Sequence, residues 1–232
     1  MADDNKKRLV WDQTGERYYE TGVDQGVLYV AGSSGYGAGV AWNGLTAINE
    51  KPSGAESNKK YADNIQYLNL ISAEEFNGTI EAYTYPVEWR ACDGQAVHEQ
   101  AKGLVINLQG RRMFGLCYRT RKGNDVDGAD HGYMLHLVYG AKASTSEKNY
   151  ETINDNPDAI TFSWDFTTTP VKMTGFKPTS HLIFDSTLAD PTKLAALEAV
   201  LYGKDPTSDG AGDGVAPRLP LPDEVVEILT AA

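Results

Sequence analysis

The chain has 232 residues, 41% of them hydrophobic and 23% charged, which suits one domain or two small ones that bury roughly 70% of the surface the unfolded chain exposes. No apolar run approaches the ~20 residues that span a bilayer, which argues against a membrane protein. With 21 basic against 32 acidic residues the net charge is −11, and an acidic surface does not neutralise nucleic-acid phosphates, so a coat on DNA or RNA is excluded.

In chain order, Met1-Ala2-Asp3-Asp4-Asn5-Lys6-Lys7 leads into Arg8 rather than into an apolar segment, so no cleaved secretory signal and a cytoplasmic synthesis are expected. Strands are expected over 16–30, 61–71, 79–85, 103–109, 112–121 and 180–185. Gly32-Ser33-Ser34-Gly35-Tyr36-Gly37-Ala38-Gly39 lacks the lysine and the following helix of a phosphate-binding loop and reads as a plain loop. The polar stretch 49–60 reads as a long hairpin loop between strands, with Glu50 and Glu56 beside Lys51, Lys59 and Lys60. Asp127-Gly128 marks a turn, because glycine accepts positive φ. The following strand, Tyr133 to Tyr139, is apolar at most positions, which predicts burial on both faces or at a subunit contact.

The clearest alternation is Ile160-Thr161-Phe162-Ser163-Trp164-Asp165-Phe166-Thr167: even positions are apolar, odd positions small or acidic. Asp190 before Pro191, with Gly203 as the stop, predicts a helix over 191–202, and its Leu194, Leu197 and Leu201 share one face. Pro222 opens a short amphipathic helix with Asp223 and Glu224 in its first turn. Its tether, 203–220, is rich in glycine and proline and has no apolar period, which predicts an arm. Many strands and few helices predict a mainly β, antiparallel sandwich or barrel.

No catalytic constellation emerges. His98, His131, His136 and His181 are scattered and read as structural or surface residues. Asp125-Val126-Asp127-Gly128-Ala129-Asp130 fails the calcium-loop order, since its glycine comes too early and His136 stands where a bidentate glutamate belongs. Glu74 and Glu75, adjacent on a strand, point to opposite faces and make poor partners for glycoside hydrolysis. Asn77-Gly78-Thr79 is a formal glycosylation sequon without a secretory context. Cys92 and Cys117 have no Cys-x-x-Cys spacing and read as reduced, partly buried thiols. No cofactor and no metal are expected.

Gly15-Glu16-Arg17-Tyr18-Tyr19-Glu20-Thr21-Gly22, Asn43-Gly44-Leu45-Thr46, Tyr61-Ala62-Asp63-Asn64, Glu81-Ala82-Tyr83-Thr84-Tyr85-Pro86, Leu194-Ala195-Ala196-Leu197-Glu198 and Leu219-Pro220-Leu221-Pro222-Asp223-Glu224, in this order, resemble the major tail (tail tube) proteins of long-tailed, siphophage-type bacteriophages. The resemblance implies a structural virion protein, not an enzyme, made in the host cytoplasm and assembled in the tail. It implies a tail tube β-sandwich over 16–203 that forms a barrel with its neighbours, one packed α-helix and a short C-terminal helix. Six copies would close into a ring, and rings would stack into the tube through which the genome passes without specific binding and without a membrane. The loop 49–60, with Glu50, Lys51, Glu56, Lys59 and Lys60, would reach from ring to ring. Arms at 1–15 and 204–232 would carry Trp11, Leu219, Leu221, Val226 and Leu229 as apolar anchors, on a neighbouring subunit or on their own protomer. Thr161, Ser163, Asp165 and Thr167, or an equivalent face bearing Glu81, would line the lumen. The partners implied are the chain itself, a tape measure protein, a tail terminator and baseplate or distal tail proteins. Thirteen tyrosines and four tryptophans leave open an acidic carbohydrate-binding β-sandwich, and paired carboxylates a hydrolase.

Overall fold

The computed structural model describes residues 8–153, 155, 158–206 and 214–231. In chain order the elements are β1 (Tyr19–Gly32), β2 (Gly35–Trp42), β3 (Leu45–Glu50), β4 (Ser53–Gly54), β5 (Ser57–Ala62), β6 (Ile65–Ile71), β7 (Glu74–Glu75), β8 (Asn77–Ala82), α1 (Trp89–Cys92), β9 (Ala96–Val97), β10 (Val105–Ile106), β11 (Phe114–Asn124), β12 (Gly128–Ala143), β13 (Phe162–Thr168), β14 (His181–Asp185), α2 (Pro191–Tyr202) and α3 (Pro222–Thr230). The chain is mainly β, as its alternation predicts. Eight strands form one antiparallel sheet in the order β2-β1-β11-β12-β13-β8-β3, with β14 added beside β12. The sheet curls until β3 returns against β1, where a Cβ on Gly26 would lie 2.2 Å from Leu45 Cδ1.

Period-two alternation divides β1, β11 and β12 between two cores. Leu28, Leu116 and Val138 point into the curl, while Tyr29, Cys117, Leu137 and Tyr139 point outward beneath α2 and α3. These strands are therefore buried on both faces, as the apolar run 133–139 predicts. The inner core centres on aromatic rings: Trp89, from the one-turn α1, lies 4.7 Å from Trp42, 4.9 Å from Phe114 and 5.4 Å from Trp164, in tilted or edge contacts. The outer core is closed by Leu194, Leu197 and Leu201 of α2. Asp190 caps that helix by accepting from the amides of Thr192 and Lys193 at 2.9 and 3.2 Å, so α2 spans the residues its punctuation marks.

Strand β12 is the hub. Residues 134–138 pair with β14 and residues 141–143 with β13, while β11 runs along the opposite edge. The exchange of partners happens at Gly140, where φ is +61° and a Cβ would stand 2.2 Å from the Thr169 carbonyl oxygen.

Four expectations are corrected. Gly32–Gly39 is not a loop: β1 turns at Ser33-Ser34 and returns as β2. Residues 103–109 form only the short β10, paired with β9. The stretch 49–60 is largely paired rather than loop, because Glu50 ends β3 and Ser57–Ala62 is β5. The C-terminal segment, over its described residues, does not extend as an arm. Lys204 and Val215 bridge one another, Arg218 N donates to Val200 O at 2.9 Å, Tyr139 donates its hydroxyl to Pro220 O at 3.0 Å, and Leu219 and Val225 are buried in the outer core. Cys92 and Cys117 are free, buried thiols, each pushed up to about 12 by burial.

Candidate assembly surfaces

Three features stand apart from the packed body. The first is a projecting hairpin. From Lys51 the chain leaves β3, forms β4, β5, β6 and β7, and rejoins the sheet at Asn77. Strand β4 pairs with β7 at the base, β5 with β6 beyond it, and the tip is the Asp63-Asn64 turn with φ of +49° and +61°. Two left-handed residues make a tight hairpin turn whose twist matches the strands, and aspartate and asparagine tolerate that conformation. Every residue from Lys51 to Glu75 is exposed.

The register assigns the side chains to faces. Ser57 faces Ile71, Lys59 faces Asn69 and, past a bulge at Tyr67, Tyr61 faces Gln66, so one face carries Tyr61 and Ile71. Lys60 faces Leu68 and Ala62 faces Ile65, so the other face carries Ile65, Leu68 and Leu70. Tyr67 is 68% exposed and Ile71 69%. An isolated two-stranded ribbon is marginal in water, and this one leaves apolar side chains uncovered on both faces. Of the residues expected to reach from ring to ring, Glu56, Lys59 and Lys60 lie on this hairpin and Lys51 at its root. Glu50 does not: it belongs to β3. Sequence reasoning named the charges of 49–60 and missed the apolar residues of 61–71, although that run is apolar at both odd and even positions.

The second feature is the outer face of β3, β8 and β13, which no helix covers among the described residues. Ser163 pairs with Glu81, Asp165 with Thr79 and Thr167 with Asn77, so the residues expected to line a lumen do share one face, apart from Thr161, which precedes β13 and is exposed. Thr79 donates its hydroxyl to Asp165, Lys51 donates to Thr79 at 2.7 Å and stands 3.5 Å from Asp165, and Asn49 donates to Glu81 at 3.1 Å. The Thr79 hydroxyl is the main cause holding the Asp165 carboxyl below the usual carboxylate range. Lys142, opposite Thr167, joins the same face, which is therefore a mixed polar lattice rather than an acidic one.

The third feature is a cluster where β3 meets β11, β12 and β14. Glu50 Oε1 accepts from the Tyr118 hydroxyl at 2.7 Å and lies 3.4 Å from His136 Nδ1 and 3.9 Å from His181 Nε2; the two imidazole nitrogens are 3.2 Å apart. The hydrogen bond from His136 lowers the Glu50 carboxyl to about 2, and burial lowers His181 to about 4. Histidines 45 positions apart in sequence carry no spacing signal, so no sequence pattern could have joined them to Glu50.

The apolar anchors divide. Trp11 is 74% exposed, and Leu221 and Val226 are also exposed, whereas Leu219 is buried and Leu229 packs against the outer core of its own protomer.

No family model matches the chain, and no curated protein matches it. Among solved structures it is similar to a chain in the cryo-EM structure of an extracellular contractile injection system, the PVC sheath-tube complex in its extended state. That likeness has a TM-score of 0.31 and 11% identity over 69% of this chain and 88% of that one.

Proposed function

We propose that the chain is a structural subunit that joins copies of itself into rings, six to a ring as the family resemblance implies, and stacks the rings into a tail tube that conducts a viral genome. The single observation that carries this reading is the hairpin at 51–76: it projects from the sheet, exposes Tyr61 and Ile71 on one face and Ile65, Leu68 and Leu70 on the other, with Tyr67 at the bulge, and has no cover from its own chain among the described residues. Laid on the next copy, each such side chain gains about 1.5–3 kcal/mol from full burial. A contact between a hairpin on one copy and a different surface on the next is head-to-tail, the kind that builds rings or open filaments. Lys59, Lys60, Glu56, Glu74 and Glu75 would fix its register against identical neighbours.

In the same reading the bare face of β3, β8 and β13 lines the channel. Lys51 is held by Thr79 and Asp165, and Glu81 accepts from Asn49, so the face offers passing phosphates little net attraction. Trp11 and the N-terminal segment, and the exposed Leu221 and Val226, supply further subunit contacts.

Negative-stain electron microscopy of the concentrated, purified chain tests the proposal. Rings or hollow tubes are expected. A monodisperse monomer at every concentration and salt, or a monomer that binds glycans, overturns it.

A further inference from the structure

We propose that Glu50, His136 and His181 form a binding site for one divalent transition-metal ion of the zinc type, which ties the root of the hairpin to the sheet. Four-coordinate zinc, with its donors at about 2.0–2.2 Å, sets neighbouring donor atoms about 3.3 Å apart. Two of the three edges here are 3.2 and 3.4 Å, and only the Glu50–His181 edge, at 3.9 Å, has to shorten. Glu50 is the donor best able to move, since its side chain is 34% exposed while those of His136 and His181 are 6% and 11%. The same exposure leaves a way in for the ion and a fourth position for water.

The surroundings orient these donors. Thr120 donates its hydroxyl to Glu20 at 3.1 Å, so its oxygen is left to accept from His136 Nε2 at 3.2 Å. With its proton on Nε2, the tautomer a metal-bound His136 would take here, the ring turns the lone pair of Nδ1 toward Glu50 and His181. Tyr118 stacks on His136 at 4.5 Å and hydrogen-bonds Glu50, while Phe76 packs on His181 at 4.3 Å, so rings and hydroxyls hold all three ligands. Two imidazoles and one carboxylate favour zinc-like ions over magnesium or calcium, which prefer oxygen donors. Glu50 ends β3 and Lys51 begins the hairpin, so the ion would join β3 to β12 and β14 just where the hairpin departs. All three ligands come from one protomer, and the site does not depend on tube formation.

The test is a titration of the chelator-treated full chain with Zn2+ by calorimetry near neutral pH, with Co2+ as a visible probe. One Zn2+ per chain, an intense four-coordinate Co2+ band and a rise in thermal midpoint with Zn2+ are expected. Glu50→Gln and His181→Ala should each weaken Zn2+ binding at least tenfold. Glu50→Gln is the variant of choice should His181→Ala fail to fold, because Glu50 lies at the surface. Absence of heat and of a cobalt band overturns the proposal and leaves a proton-held contact; so does undiminished binding in folded Glu50→Gln, which would put the ion elsewhere.

Discussion

The β11–β12 and β5–β6 hairpins are built alike and stabilised differently. Both are antiparallel pairs closed by turns that use left-handed residues, Gly128 in one and Asp63-Asn64 in the other. The first lies between two cores, with Leu116 and Val138 facing the tryptophans and Cys117 and Leu137 facing α2. The second has no layer on either side among the described residues. Backbone pairing is common to both, so the difference isolates what side-chain burial adds: one hairpin is complete within its own chain, and the other keeps its apolar surface available.

That contrast is open to direct attack through the stability of the lone protomer. The largest loss is expected for Trp164→Ala, which empties the centre of the inner core and should cost about 3–5 kcal/mol in urea unfolding. A loss below about 1 kcal/mol would mean that the aromatic cluster is not the main support of the body. Asp190→Ala removes the cap of the helix that roofs β11 and β12 and should cost about 1 kcal/mol, with Asp190→Asn recovering most of it.

Acid should next expose the ion pair between β11 and β14. Burial alone would raise the Asp185 carboxyl, but hydrogen bonds from Lys122 and Thr187 outweigh it and hold its pKa below the usual range. A depressed folded value means that this contribution is complete above the unfolded carboxylate's titration near pH ~4 and is lost as pH falls through the folded value. Lys122→Met should flatten that part of the acid limb, and an unchanged limb would dismiss the pair. The smallest effect on the protomer belongs to the projecting hairpin. Leu68→Asp with Leu70→Asp should leave the unfolding free energy within about 0.5 kcal/mol while light scattering from polymers disappears. A midpoint that falls as far as in Trp164→Ala would show instead that the hairpin folds as part of the body.

Legibility in the sequence followed how local each determinant is. Strand β13 was readable because Trp164 and Phe166 alternate with Ser163 and Asp165, although Ile160, counted on its apolar face, lies before the strand. Helix α2 was readable because Asp190, Pro191 and Gly203 punctuate it. Strand β2 was not, since its glycines imitate a loop. A Cβ on Gly39 would meet Tyr29 Cε1 at 2.7 Å, so glycine is there to let the sheet pack and not to bend the chain. Helix α3 looked tethered and free because the Lys204–Val215 bridge and the burial of Leu219 are tertiary facts. Of the assembly surfaces, the shared polar face of β13 and Glu81 was legible. The metal-ligand geometry was not, because three separate strands deliver Glu50, His136 and His181.

Gly140 lets one strand serve two tasks. Before it, β12 helps build the helix-roofed wall; after it, the same strand holds the edge of the bare face. Mechanical load applied to either wall therefore passes to the other along continuous peptide bonds, not through a seam of interlocking rings. The protomer behaves as a single folded plate, creased at a residue too small to resist the crease.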